Sequence, residues 1–250
     1  MYKDDFSIAA TAAKTKTEYF NKNPGGYFIS SMLAGVFIGI GVFLSFTIGS
    51  LLDGQPHARI AMGVPFCIAL SLVIIAGAEL FTGSNFIMSV GLFSKTVNLG
   101  QTLKLWIFCY IGNWLGSIII SLVFLGTGLE SGPLGTFINT VAAEKTTLAF
   151  VPLFFRAILC NMLVCLAVWS SFRCKSESGK LIIIFWCMFA FVTTGFEHCV
   201  ANMTLLTISL INNGIGIGVY FYNILTATLG NMFGGILFVA LPYYLITRKS

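Results

Sequence analysis

Glu79, Glu197 and His198 stand inside apolar runs long enough to cross a bilayer. An ionisable side chain at membrane depth costs ~2.5–3.5 kcal/mol on insertion scales, so each of the three needs a reason. The carboxylates lie in polar, glycine-bearing patches, GAELFTGSN at 77–85 and GFEHCVANM at 195–203. A helix interrupted there leaves backbone N–H and C=O groups that protein must satisfy, because lipid cannot. A carboxylate can accept several N–H bonds, so bracing the break is the first expectation for Glu79 and Glu197, ahead of direct ion binding. Both copies face the same backbone problem, which favours bracing. His198 has no counterpart in the first patch, where Leu80 holds the matching position. A lone histidine is usually a satisfied packing residue. At a break in a spanning helix it can also donate a hydrogen bond to an anion or supply a proton near neutral pH. Thr82 and Asn202 follow the two glutamates, and their neutral polar groups can hydrogen-bond a passing solute without trapping it.

The elements that hold these residues follow from composition. Of 250 residues, 57% are hydrophobic and 9% charged, with a mean hydropathy of +0.91. Soluble domains carry about 25% charged residues. One soluble core of this size cannot hide so much apolar surface. A soluble enzyme, a disordered tail and a nucleic-acid-binding domain are excluded. A transmembrane barrel is excluded too, because its strands alternate polar and apolar residues whereas these runs are continuous. The expected fold class is an all-α integral membrane protein in the lipid bilayer. Six apolar segments cover 27–50, 60–93, 105–127, 152–172, 181–210 and 223–247. A spanning helix requires about 20 residues. The second and fifth segments exceed that, and each contains one of the two polar patches. The segment 128–151 reads as a Gly-rich outer loop, and 1–26 as a charged, polar cytoplasmic segment without a cleavable signal peptide.

Direction follows from the basic residues. With the N-terminus inside, the inner side holds Lys3, Lys14, Lys16, Lys22, Lys95, Lys104, Arg173, Lys175, Lys180, Arg248 and Lys249. The outer side holds Arg59, Lys145 and Arg156, so the count is 11 against 3 and both termini are placed in the cytoplasm. Arg156 reads as a side chain that snorkels outward. The seven cysteines form no C-x-x-C pair and read as small buried side chains.

The chain also repeats itself. Gly77-Ala78-Glu79 matches Gly195-Phe196-Glu197, and Gly112-Asn113-Trp114-Leu115-Gly116 matches Gly230-Asn231-Met232-Phe233-Gly234, both at an offset of 118. A unit of three spans is odd, so the two copies must point in opposite directions across the bilayer. The expectation is one channel domain over 1–250, built of inverted repeats at about 27–127 and 145–247. Inverted repeats with interrupted helices place a solute pathway near the repeat interface.

The two patches, the FEH-x-x-ANM string at 196–203 and the paired GN-x-x-G strings resemble the formate/nitrite transporter family. The likeness covers nearly the whole chain, including NMLVCLAVW at 161–169. The short stretch between Met203 and Gly230 is unlike formate channels, and the wording is most similar to the hydrosulfide-channel branch, with nitrite channels next. The resemblance implies a homopentamer with an aquaporin-like pore in each protomer and without the aquaporin NPA motifs; Asn23-Pro24-Gly25 precedes the first span and is no substitute. It implies an outer constriction of Phe66 and Phe191 and an inner one of Leu70 and Leu80, positions whose default reading is core packing. Thr82 would lie in the loop breaking the second helix. His198 would face the space between the constrictions, with Asn161 and Asn231 nearby, and Lys145 would stand at a positive outer vestibule. The implied function is a passive or proton-linked channel of the cell membrane for small monovalent weak-acid anions. Hydrosulfide comes first, with formate and nitrite as co-substrates; a dedicated nitrite or formate channel is the alternative. No metal or cofactor is implied.

Two other classes are weaker. Asp53-Gly54-Gln55-Pro56-His57-Ala58-Arg59 approximates the opening of a head-group transferase motif, but the only other aspartates are Asp4 and Asp5, too few for two-metal phosphoryl chemistry. A neutral-solute pore of the aquaporin type is the second.

Overall fold

The computed structural model describes residues 2–247, so Arg248 and Lys249 of the topology count lie outside the described residues. Asn23 and Pro24 make the first boundary. The Asn23 side chain accepts the Gly26 N–H at 2.9 Å, and Pro24 fills the first helical position, where its missing N–H costs nothing. Before it lies α1 (Lys3–Lys22), and after it α2 (Pro24–Leu51), the first span. The second span is α3 (Ala58–Ser71), which widens into a π turn over Leu72–Gly77, then breaks and resumes as α4 (Phe81–Phe93). The third is α5 (Leu99–Leu125), opened by a capping box in which Asn98 and Gln101 bond each other's backbone N–H at 2.9 Å. Then come α6 (Pro133–Thr146) and the fourth span, α7 (Phe150–Arg173). The fifth is α8 (Glu177–Thr194), broken and resumed as α9 (Cys199–Ile211). The sixth is α10 (Ile217–Gly235), continued by a π turn and α11 (Leu241–Thr247).

Among the described residues six helices are long and apolar enough to cross a membrane, and the interruptions fall in the second and fifth, where the polar patches place them. Both breaks begin at a glycine in the left-handed region, Gly77 at φ +87° and Gly195 at φ +75°, a conformation that a side chain would strain.

Small residues set the helix spacing. Gly112 and Gly116 bring α5 against Ser31 and Met32 of α2, and Gly230 and Gly234 bring α10 against Ala157 and Ile158 of α7. A Cβ at any of the four would collide with the facing helix. In lipid, such close approach supplies the packing that a hydrophobic driving force supplies in water. The outward faces stay apolar, with Ile107, Ile111, Leu122 and Val123 of α5 and Leu225, Leu229 and Phe233 of α10 all exposed.

Three expectations change. The third and sixth spans start six residues earlier than read, at Leu99 and Ile217. Residues 133–146 are not loop but α6, whose Ile138 and Ala142 are buried. The polar N-terminal segment is an amphipathic helix, burying Phe6, Ala9, Ala10, Ala13, Thr17 and Phe20. Its apolar side is mostly alanine set among charges, which a search for long apolar runs passes over.

Candidate anion pathway

Each break is closed by an asparagine from the neighbouring span. Asn113 of α5 accepts the Phe81 N–H at 2.9 Å and donates to the Glu79 and Ser31 carbonyls, both at 2.8 Å. Asn231 of α10 accepts the Cys199 N–H at 2.9 Å and donates to the Glu197 carbonyl at 2.9 Å and the Ala157 carbonyl at 2.7 Å. The two amides thus pair the polar backbone exposed by each break. The carboxylates do something else. Glu79 takes the Lys16 ammonium of α1 on both oxygens, at 2.5 and 2.6 Å. Glu197 takes the Lys145 ammonium of α6 at 2.8 Å and the Asn202 amide at 2.7 Å. The expectation that the carboxylates accept backbone N–H groups is therefore corrected: amides brace the backbone, and the acids anchor a lysine apiece. The reason is chemical. A break needs both a donor and an acceptor, and an ionised carboxylate only accepts.

Two cavities of about 580 Å³ each approach the middle of the chain from opposite sides. One is lined by Phe66, Phe191 and His198 and carries Arg59, Lys145 and Arg156. The other is lined by Leu70, Leu80 and Glu79 and carries Lys16 and Lys180, both from the lysine-rich side of the chain. Phe66 and Phe191 meet edge to face, with centroids 5.2 Å apart, and both are 4% exposed. Leu70 of α3 and Leu80, the residue that opens α4, are 1% and 4% exposed.

Thr82 Oγ1 and His198 Nε2, both buried, bond at 3.0 Å. His198 caps α9: its Nδ1 accepts the Ala201 N–H at 3.2 Å. That bond assigns the tautomer, because a ring nitrogen that accepts carries no hydrogen. The proton sits on Nε2 and is donated to Thr82 Oγ1, and the ring edge lines the first cavity. The imidazole stacks on Phe191 at 6.0 Å. The first turns of α4 and α9, at Thr82 and His198, meet here, so two positive helix ends converge on one point.

The other site candidates are placed as follows. Thr82 lies in the first turn of α4 rather than in the preceding loop. Asn161 and Asn231 are fully buried behind the wall: Asn161 donates to the Thr82 carbonyl, Asn85 and the Asn231 carbonyl, at 3.3, 3.1 and 2.7 Å. Asn202 reaches the outer cavity, but its amide donates to Glu197 and, at 2.8 Å, to Asn223, so it supports Glu197 rather than offering its protons to a solute. Asn223 in turn donates to the Lys145 carbonyl at 2.9 Å. The expectation of a positive outer vestibule is also corrected. Arg59, Lys145 and Arg156 share that cavity with Asp53, Glu144 and Glu197, and Lys145 is held by its own carboxylate. Lys16, Asn113 and Asn223 were not singled out as site residues.

Lys145→Met removes the partner of a carboxylate that is 2% exposed. Breaking a buried pair in this way costs about 3 kcal/mol. Thermal unfolding of the detergent-solubilised protein is expected to fall accordingly, and to recover most of the loss when Glu197→Gln is added. A double-variant loss equal to the sum of the losses of Lys145→Met and Glu197→Gln alone would show that the charges are not coupled.

The family model described as "Formate/nitrite transporter" matches residues 6–245. The nitrite transporter NirC of Salmonella typhimurium is 39% identical over 258 residues, covering 100% of this chain and 94% of its own. A solved structure described as an FNT family ion channel superposes with a TM-score of 0.93 at 37% identity, covering 98% of this chain and 99% of that one. A pentameric formate channel with formate bound superposes with a TM-score of 0.79 at 29% identity, covering 91% and 99%. The chain is a multi-pass membrane protein of inverted three-span repeats that belongs to the formate/nitrite transporter family, a family of transporters and channels rather than enzymes.

Proposed function

We propose that the chain conducts small monovalent weak-acid anions, nitrite first and formate second, along the route from the outer cavity past Phe66 and Phe191, across Thr82 and His198, and past Leu80 and Leu70 to the inner cavity. The observation that carries the reading is the Thr82–His198 contact, a buried polar pair whose histidine lines one cavity beside Phe66 and Phe191, while Leu80, two residues before Thr82, lines the other. Nitrite takes the first place because a relative 39% identical over this whole chain bears that name. The hydrosulfide specificity expected from the sequence has no such support and gives way to the alternative.

The chemistry follows from desolvation. Removing water from an anion between apolar side chains is costly, and much less so for its neutral conjugate acid. The Thr82 hydroxyl, which accepts the His198 Nε2–H and keeps its own proton, and the Nε2–H itself once it turns from Thr82 to the solute, offset part of that cost by donating to the solute's oxygens. A proton from cavity water allows a weak acid to cross the dry stretch uncharged. Flux is then passive with respect to the protein, which ends each passage in the state in which it began.

We also read the chain as a homopentamer of the cell membrane, supported by the pentameric relative and by the apolar outward faces of α5 and α10. Both termini face the cytoplasm, supported by the 11-to-3 basic count. The whole chain is then one channel domain, whose repeats begin at their leading helices α1 and α6.

Leu80→Ala tests the route. It widens the inner closure and removes part of the dehydration barrier, so nitrite flux into proteoliposomes rises about tenfold, as expected for about 1.4 kcal/mol off a barrier. Larger carboxylates such as acetate begin to pass. Unchanged flux and selectivity in an intact oligomer would place Leu80 in ordinary packing.

A further inference from the structure

The cations at the two mouths are not equivalent. On the inner side Lys16 pairs with Glu79 and Lys180 with Glu177. On the outer side Lys145 pairs with Glu197. Arg59 and Arg156 have no carboxylate within 4.0 Å among the described residues, and neither guanidinium donates a hydrogen bond to another described residue. Both line the outer cavity, and both border the break in the fifth span. The Arg59 guanidinium lies 3.3 Å from the point a Cβ would occupy on Gly195, so the absent side chain there leaves it room. The Arg156 carbonyl accepts the Glu197 N–H at 3.4 Å, which sets that residue against the same strand of backbone, one position before His198.

The geometry points to an outer loading site for a planar oxyanion, formed by Arg59 and Arg156 in front of the Phe66–Phe191 closure; this rests on the proposed nitrite and formate conduction. Net charge does not create the site, because Asp53, Glu144 and Glu197 balance the three cations of the cavity. Local shape does. A guanidinium presents a flat fork of N–H donors that matches the two oxygens of nitrite or a carboxylate, whereas hydrosulfide offers a single sulfur centre. The site holds the anion with part of its water before the closures strip the rest, and the next donor inward is His198 Nε2. The inner mouth lacks such a site, so the two sides saturate differently while equilibrium across the membrane is untouched.

The test uses right-side-out membrane vesicles, with nitrite, formate and hydrosulfide supplied outside over a range of concentrations. Arg59→Gln with Arg156→Gln is expected to raise the half-saturating nitrite concentration about tenfold, the loss of one good charge-assisted contact, without lowering the ceiling rate. That split separates a lost site from a packing defect, which would lower the ceiling. Arg59→Lys with Arg156→Lys keeps the charge and removes the forks; it is expected to raise half-saturation at least fivefold for nitrite and formate and to leave hydrosulfide unchanged. Wild-type half-saturation in the glutamine variant overturns the site, and wild-type nitrite behaviour in the lysine variant overturns its selectivity for a planar oxyanion. If the wild-type chain moves neither nitrite nor formate faster than protein-free membranes, the conduction reading fails and the loading site falls with it. Conduction with unaltered variants overturns the loading site alone.

Discussion

His198→Phe is expected to lower nitrite and formate flux roughly 10- to 100-fold, the equivalent of one hydrogen bond to a charged group. The ring it introduces fits beside Phe191, on which the imidazole already stacks, but it presents no donor to Thr82 or to a solute in the outer cavity. It also leaves the Ala201 N–H without its cap, which costs about 1 kcal/mol of stability. His198→Asn separates the two effects. Asparagine is a good cap and carries an amide donor, so its thermal stability stays near wild type and its flux lies between the other two. Because Nδ1 is occupied by the Ala201 N–H, the histidine acts here as a neutral donor through Nε2. The flux of His198→Asn should therefore follow the wild-type pH profile from about pH 6 to pH 8, shaped by the anion's own protonation. A profile that becomes flat in His198→Asn would mean that the ring titrates during transport.

The second large effect belongs to Asn231. Asn231→Leu leaves the Cys199 N–H and the Glu197 carbonyl without partners in a buried setting and removes the second donor on the Ala157 carbonyl, which keeps its bond within α7. Each unsatisfied group costs about 1–3 kcal/mol, so the break in the fifth span loses at least about 2 kcal/mol. The expected result is a sharp fall in the thermal midpoint in detergent and in the yield of intact oligomer. Asn231→Asp isolates the parts, keeping the acceptor for Cys199 and removing both donors. Asn113→Leu should cost a similar amount, since Asn113 makes the same three bonds at the other break. If Asn231→Leu unfolds at the wild-type temperature, the amide does not brace the break.

Much of this arrangement was legible before the structure. Gly77 and Gly195 marked the breaks because they sit in polar patches inside runs too long for one span, and the structure finds both in the left-handed region. Asn113 and Asn231 are visible as matching strings at a common offset, but within each patch the carboxylate is the more conspicuous candidate for the brace. Sequence shows that a break needs partners; it does not show which neighbouring helix supplies them. Lys16 was less accessible still. It is one of four lysines in the polar stretch 1–26, and nothing in its neighbourhood distinguishes it. The repeat did not reveal it either. The glutamates are 118 residues apart, whereas their lysines, Lys16 and Lys145, are 129 apart. The carbonyls that accept the glutamate N–H groups, on Ser30 and Arg156, are 126 apart. Linkers of different length thus shift the leading helix of each repeat against the rest, and a single offset cannot align both parts. The outer vestibule is balanced rather than positive for a different reason: a count of basic residues omits the carboxylates beside them, Asp53 near Arg59 and Glu144 next to Lys145, and Glu197 reaches the same cavity from the break in the fifth span.

On the proposed reading, the dry stretch around Thr82 and His198 passes a small weak-acid anion and excludes uncharged polyols. The direct measurement is flux into proteoliposomes near pH 7.5, where nitrite is ionised and crosses protein-free bilayers slowly, set against glycerol uptake in the same vesicles. Nitrite should equilibrate at least about tenfold faster than in protein-free vesicles, which corresponds to about 1.4 kcal/mol off the barrier, while glycerol uptake stays at the protein-free rate. Glycerol that equilibrates through the protein while nitrite remains at the protein-free rate would contradict the claim and make the chain a neutral-solute pore.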